Sequence, residues 1–207
     1  MSRFAEEPAF RLAVELTGAG HHPGTADLSE GGAYPAVEGW FDLNAPAHAR
    51  DDTRVVRVRA RDLGAAQRLT AQVKATATDG GRPPGRVEVL VDLAVMIAED
   101  AATARARLAR LDGRLGQPWG SPSLSYVGTP AGLAGLLADM RAVDVADGVT
   151  LQPMSMPEVL GHIAFETLPQ LESLGLRLAG AQVRYLRELG SRWCAGEVRA
   201  WRECLSA

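Results

Sequence analysis

One segment does most to limit what this chain can fold into: VEVLVDLAVMI, Val87 to Ile97, is apolar almost throughout. A strand with water on one face alternates apolar and polar residues, whereas a near-continuous apolar run suits a parallel strand covered on both faces. Parallel neighbours need crossover connections, usually helical, and the flanking segments supply them. Leu63 to about Thr78 reads as a helix with Asp62 as N-cap, closed by GGRPPG. AEDAATARARLARLDGRL follows the apolar run as a second helix, with acidic residues in its first turn and Arg in later turns. GTPAGLAGLLADMRAVD starts a third, with Thr129 as N-cap and Pro130 at its first position. MPEVLGHIAFETLPQLESLGL is a fourth, ended by Gly175.

Between these helices lie alternating segments. RLAVEL (Arg11 to Leu16), RVVRVRA (Arg54 to Ala60) and GVTLQPM (from Gly148) read as strands. Residues 18–53 are rich in Gly, Pro and turn formers, and within them EGWFDLN suits a short strand or hairpin arm. So long a stretch without regular structure signals a functional loop or lost elements. The order strand, strand, helix, strand, helix, helix, strand, helix gives an α/β architecture with right-handed crossovers.

Composition narrows the function classes. The chain has 207 residues, 46% of them hydrophobic, with a net charge of −3. One core and a single domain are expected at that length. Arg and acidic residues are interspersed, which argues against a nucleic-acid stripe or a polybasic membrane anchor. Cys194 and Cys204 make no disulfide framework and no metal-binding pair. The first residues, MSRFAEEPAF, are acidic and lack a signal-peptide core. No run approaches the roughly 18 apolar residues that a membrane span requires. The expectation is a reduced, soluble, cytoplasmic protein without a metal.

The ordered blocks VEVLVDLAVMIAEDAATARARLARLD and SYVGTPAGLAGLLADMRAVDVADGVTLQPMSMPEVLGHIAFETLPQLESLGLRL resemble the luciferase-like, flavin-dependent oxidoreductases and monooxygenases. In that family an Ala/Arg-rich helix follows the penultimate strand, and a later helix begins with GTP. RLAVELTGAGHHP resembles the family's opening strand, and EGWFDLNAPAHARDDTRVVRVRARD the approach to its fifth. The resemblance touches residues 11–23, 38–73 and 86–190 and rests on the co-occurrence of several motifs in order.

It implies an incomplete (β/α) TIM-type barrel, a parallel-sheet arc with flanking helices, since such barrels usually need about 250 residues. The family's second to fourth strands have no counterpart between Pro23 and Glu38, and its sixth is also missing. The first, fifth, seventh and eighth strands remain, a contiguous arc because first and eighth are neighbours in a closed barrel. The arc's edges, RLAVEL and RVVRVRA, call for a dimer or a local hairpin to cap them. The whole chain, 1–207, is then one truncated luciferase-like domain, with residues 182–205 as a C-terminal helical extension. That tail reads as an amphipathic helix broken or kinked near Gly190 and Gly196, carrying Tyr185, Trp193 and Trp201 as a partner surface or as packing on the arc.

What the resemblance implies about function is an oxidoreductase or monooxygenase acting on a small organic substrate with FMN or a deazaflavin. The flavin would lie at the C-terminal strand ends, where TIM barrels hold their catalytic groups. Thr17, Gly18, Arg59, Arg61 and Gln152 are the candidate cofactor-binding residues. Arg59 or Arg61 could hold a phosphate bidentately; the alternative is surface Arg beside an Asp62 N-cap. His22 is the candidate catalytic residue, as acid, base or hydrogen-bond donor; the alternative is a turn histidine beside Pro23. His162, inside the last helix, reads as a packing or surface residue, and His48 lies in an Ala/Pro loop with no visible partner in sequence. Because family flavin contacts from the second to fourth strands are missing, a homodimer or a full-length paralogue would have to supply them. The other reading is a non-catalytic shortened homologue that binds a ligand or serves as a partner subunit.

Overall fold

A computed structural model describes residues 10–17, 20–25, 39–44, 53–81 and 86–204, with side chains through Arg192. Six strands form one sheet among the described residues: β1 (Arg11–Glu15), β2 (Trp40–Asp42), β3 (Arg54–Val58), β4 (Val87–Ile97), β5 (Leu124–Gly128) and β6 (Gly148–Pro153). The order is β2-β1-β6-β4-β3, with β5 also against β4. All pairings are parallel except β1 with β2. The sheet curls as part of a TIM-type barrel, with helices packed along it. The expected arc is therefore present in its expected order, and β3 pairs directly with β4 as a lost sixth strand requires.

Two strands enlarge the expected four. β2 falls inside EGWFDLN and caps the β1 edge as an antiparallel hairpin arm. β5, LSYVG, lies where the sequence marked no strand. It is short, and it sits between a Gly/Pro/Ser-rich stretch and the cap of the next helix, so its alternation has little room to register. β3 pairs with residues 87–91 of β4 and β5 with residues 93–97, both on the same edge. Asp92 stands at the handover.

The helices are α1 (Leu63–Asp79), α2 (Ala101–Leu115), α3 (Pro130–Ala142), α4 (Glu158–His162), α5 (Leu168–Ser173) and α6 (Gly180–Cys204). Asp62 caps α1 by accepting from the Ala65 N–H, and Thr129 caps α3 through the Gly132 N–H. Glu99 and Asp100, expected in the first turn of α2, instead precede it. Asp100 caps α2 by accepting from the Ala102 and Thr103 N–H groups, which satisfies free donors that a first-turn carboxylate would only attract. The helix expected to end at Gly175 is interrupted by a π turn, Ile163–Thr167, between α4 and α5. Arg187 of α6 donates to the Ala164 carbonyl within that turn. α6 runs unbroken through Gly190 and Gly196, against the expected break, and starts two residues before Gln182. A Cβ on Gly190 would stand 3.8 Å from the Gly161 Cα, so α6 and α4 pass close together there. Trp193, Cys194, Trp201 and Cys204 carry side chains outside the described set, and His48 lies outside it altogether.

Register separates the sheet into two faces. Leu12 and Val14 of β1, Val149 and Leu151 of β6, and Val89, Val91, Leu93 and Val95 of β4 share one face and are fully buried. The other face carries Arg11 and Glu15 of β1, Trp40 of β2, Arg57 of β3, Asp92 of β4, and Thr150 and Gln152 of β6. Period-2 alternation places these polar groups together. One glycine is fixed by the close approach of two strands: a Cβ on Gly148 would lie 2.1 Å from the Arg11 carbonyl oxygen.

Candidate functional site

Because β1, β3 and β6 are parallel, Thr17, Arg59, Arg61 and Gln152 all come to one rim of the sheet, that of the C-terminal strand ends. Three of them belong to one polar chain. The Thr17 hydroxyl donates to Glu15 Oε1 at 2.8 Å. Arg57 bridges two carboxylates, donating from Nη1 to Glu15 Oε2 at 2.7 Å and from Nε to Asp92 Oδ1 at 2.8 Å. Asp92 Oδ2 accepts from Gln152 Nε2 at 3.2 Å and from Arg59 Nε at 3.4 Å. The Ser123 hydroxyl closes the chain by donating to Gln152 Oε1 at 3.2 Å.

Burial sorts these groups. Glu15, Asp92 and Gln152 are buried. A carboxylate so placed is costly unless neutralised and hydrogen-bonded; Asp92 has both. Burial opposes the Arg57 charge, but its hydrogen bonds to Asp92 and Glu15 outweigh that and raise its pKa above the ordinary arginine value. Gln152 uses both ends of its amide inside the protein, and Gly20 covers it, leaving no room for a Cβ at 2.2 Å from Gln152 Cβ. Arg59 differs: its side chain is 59% exposed. Its only bond among the described residues runs through Nε, so no described residue holds its Nη atoms. Arg61 is exposed with no partner among the described residues. Gly18 lies outside them.

His22 reaches the same rim, but its surroundings are closed. It is fully buried. Nδ1 accepts from the Gly24 N–H at 3.0 Å, which fixes the proton on Nε2, and Nε2 donates to Asp112 Oδ1 at 3.0 Å. The ring meets Trp119 edge-on at 5.0 Å. The His22 backbone N–H donates to the Met154 carbonyl at 2.8 Å. Hydrogen bonding from the Trp119 N–H and then from His22 holds the Asp112 carboxyl below the usual carboxylate range. Together these bonds clasp the segment after β1 to α2 and to the end of β6. His162 pairs with Glu166 one turn along, across the junction of α4 and the π turn.

A groove of about 330 Å³ lies at the opposite end of the strands, between α3 and α5, lined by Phe10, Leu137, Arg141, Asp144, Leu171 and Leu176. Among the described residues no group of three His, Cys, Asp or Glu could hold a metal ion. No described helix is long and apolar enough to cross a membrane.

The sequence matches no protein-family profile and no curated protein. Solved structures do resemble it. EDTA monooxygenase (EmoA) from Chelativorans sp. BNC1 superposes with a TM-score of 0.52 at 18% identity, over 65% of this chain and 44% of that one. The shared fold is part of a TIM-type barrel. Long-chain alkane monooxygenase (LadA) gives 0.50 at 16% identity, over 61% and 38%. A riboflavin lyase (RcaE) solved with modified FMN and riboflavin gives 0.51 at 12%, over 60% and 39%. The chain thus spans less than half the length of the structures it resembles, and the likeness is one of fold.

Glu15, Arg57, Asp92 and Asp112 were missed as site residues in the sequence. The signal was there for Asp92, a carboxylate with apolar residues on both sides in the middle of β4. Only the parallel register brings its partners, 33 to 60 residues away, to it.

Proposed function

We propose that this chain is a shortened luciferase-like protein that takes part in flavin-dependent oxidoreductase or monooxygenase chemistry on a small organic substrate. The observation that carries this is the polar rim at the C-terminal strand ends, where Arg59 presents an exposed guanidinium fork over a buried carboxylate. Such a fork suits a flavin phosphate, because guanidinium and phosphate match bidentately. The fold likeness to EDTA monooxygenase and to the riboflavin lyase solved with modified FMN supports the same assignment. FMN fits better than a bare ring; a deazaflavin carrying a phosphate would engage the same fork.

In this reading Arg59 and Arg61 bind the anionic end, Thr17 lines the β1 side, and Gln152 acts from beneath by holding Asp92. The bound flavin would supply the redox chemistry. His22 can serve as acid or base only if residues 20–25 lift from α2; in the described position it is a clasp. The remaining flavin contacts come from a second copy or a full-length paralogue, in a cytoplasmic setting. Fluorescence titration tests the reading: FMN quenching should saturate in the micromolar range. Absence of saturation into the high micromolar range sinks it.

The engagement of both His22 nitrogens favours a second reading, a ligand-binding partner subunit without turnover of its own. Turnover by the purified chain alone would refute it.

A further inference from the structure

We propose that Asp92 is a positioning residue that aims Arg59 at an oxyanion, so that the exit of β3 is an anion-binding position for a phosphate or carboxylate group. That the anion is a flavin phosphate rests on the function proposed above; the anion position itself does not.

Arginine on a surface ordinarily sweeps through many rotamers, and ordering it opposes binding. Here the Nε edge is held by a carboxylate that is 2% exposed, while the side chain as a whole is 59% exposed and no described residue takes its Nη atoms. A guanidinium held by Nε keeps its planar Nη pair available for two parallel bonds to an oxyanion. Asp92 is itself immobile, because Arg57 takes its Oδ1 and Gln152 shares its Oδ2. Arg57 of β3 and Gln152 of β6, the latter backed by Ser123, thus converge on one side chain that orients an arginine just beyond β3.

The geometry makes the consequence of Asp92→Asn specific. An asparagine has one acceptor, which the shorter Arg57 bond retains, and its amide nitrogen then faces Arg59 and Gln152. Gln152 can answer by turning its amide, because the Ser123 hydroxyl can donate or accept. Arg59 has only donors and is released. Charge and positioning therefore predict opposite results. Removing a negative charge beside an arginine should tighten anion binding, whereas losing the anchor should weaken it.

The experiment follows arginine Nε–Hε resonances by NMR while inorganic pyrophosphate is added to the full chain. The Arg59 resonance should shift saturably in the wild type. The apparent affinity should fall about tenfold in Asp92→Asn. Unchanged or tighter binding by that variant overturns the proposal, and so does a wild-type Arg59 resonance that does not respond. Arg59→Lys, at an exposed position that leaves the fold intact, keeps the charge but not the fork. It should also lose about tenfold, and retention of affinity within twofold overturns the proposal even if Asp92→Asn fails to fold. A parallel comparison of FMN with riboflavin identifies the source of the anion. FMN preference that vanishes in Arg59→Lys assigns the position to the flavin phosphate. Pyrophosphate binding without FMN binding leaves the anion position standing and removes the flavin reading.

Discussion

Two adjacent histidines, His21 and His22, have opposite solutions to burial. His22 is enclosed and fully partnered, so its removal deletes packing against Trp119 and two hydrogen bonds at once. His22→Ala should lower stability by about 2–4 kcal/mol, read as a fall of several degrees in Tm. A change under one degree would show that the clasp contributes little. His21 is partly buried and its Nε2 finds no partner among the described residues. Burial therefore pushes its imidazole pKa below the ordinary histidine value. The unfolded chain takes up that proton first, near the unperturbed value of about 6.5, so His21 removes stability as pH falls through that value and none above it. Urea denaturation at pH 7.5 and 5.5 should show His21→Asn losing less stability across the interval than wild type. Parallel losses in the two proteins would contradict this. The pair HH was visible in the sequence, but which member turns inward was not, because that choice is made by Asp112, 90 residues away.

At the scale of elements, local signals were read well and pairings set the rest. The apolar run of β4, the Asp62 and Thr129 caps, and the positive-φ Gly175 that closes α5 follow from neighbouring residues alone. β5 and the unbroken α6 do not. The strand is stabilised by its ladder with β4, and the glycine in the helix is tolerated where Gly161 of α4 approaches. Gly148 shows the same dependence on a partner strand. Gly148→Ala would drive a methyl into the Arg11 carbonyl, an immovable backbone atom, and should cost about 1–3 kcal/mol. Chemical denaturation measures that cost, and a neutral result would mean that the β1–β6 seam can open slightly. Similarly, Arg57→Met leaves Glu15 and Asp92 facing each other without their shared cation. A loss of about 3 kcal/mol is expected, and full stability in urea would show that the Arg57 bridge contributes little.

For the molecule as a whole, β2 closes one edge of the arc and β3 leaves the other unpaired among the described residues. The Arg54 N–H points to the β4 side, bonding the Arg86 carbonyl at 2.9 Å, so the Val55 N–H points outward. If a second copy or a paralogue completes the barrel through this edge, Val55→Pro should abolish the complex in analytical ultracentrifugation while changing Tm little, since no internal bond is lost. A complex that survives the substitution would place the interface elsewhere. Family resemblance made the order of the arc, β1-β6-β4-β3, legible from the sequence. What binds at the polar rim beside Arg59 was not legible, since no run of residues along the chain encodes it.

The handover on β4 carries a consequence for how this scaffold can change. One long strand serves two short neighbours in tandem, and the join falls at the residue that aims Arg59. The stretches after β3 and before β5 can therefore lengthen, shorten or swap side chains without disturbing the β4–β6 ladder. Variation at that joint would retune the rim while the barrel remnant stays in register, which makes the joint a natural point for grafting new specificity.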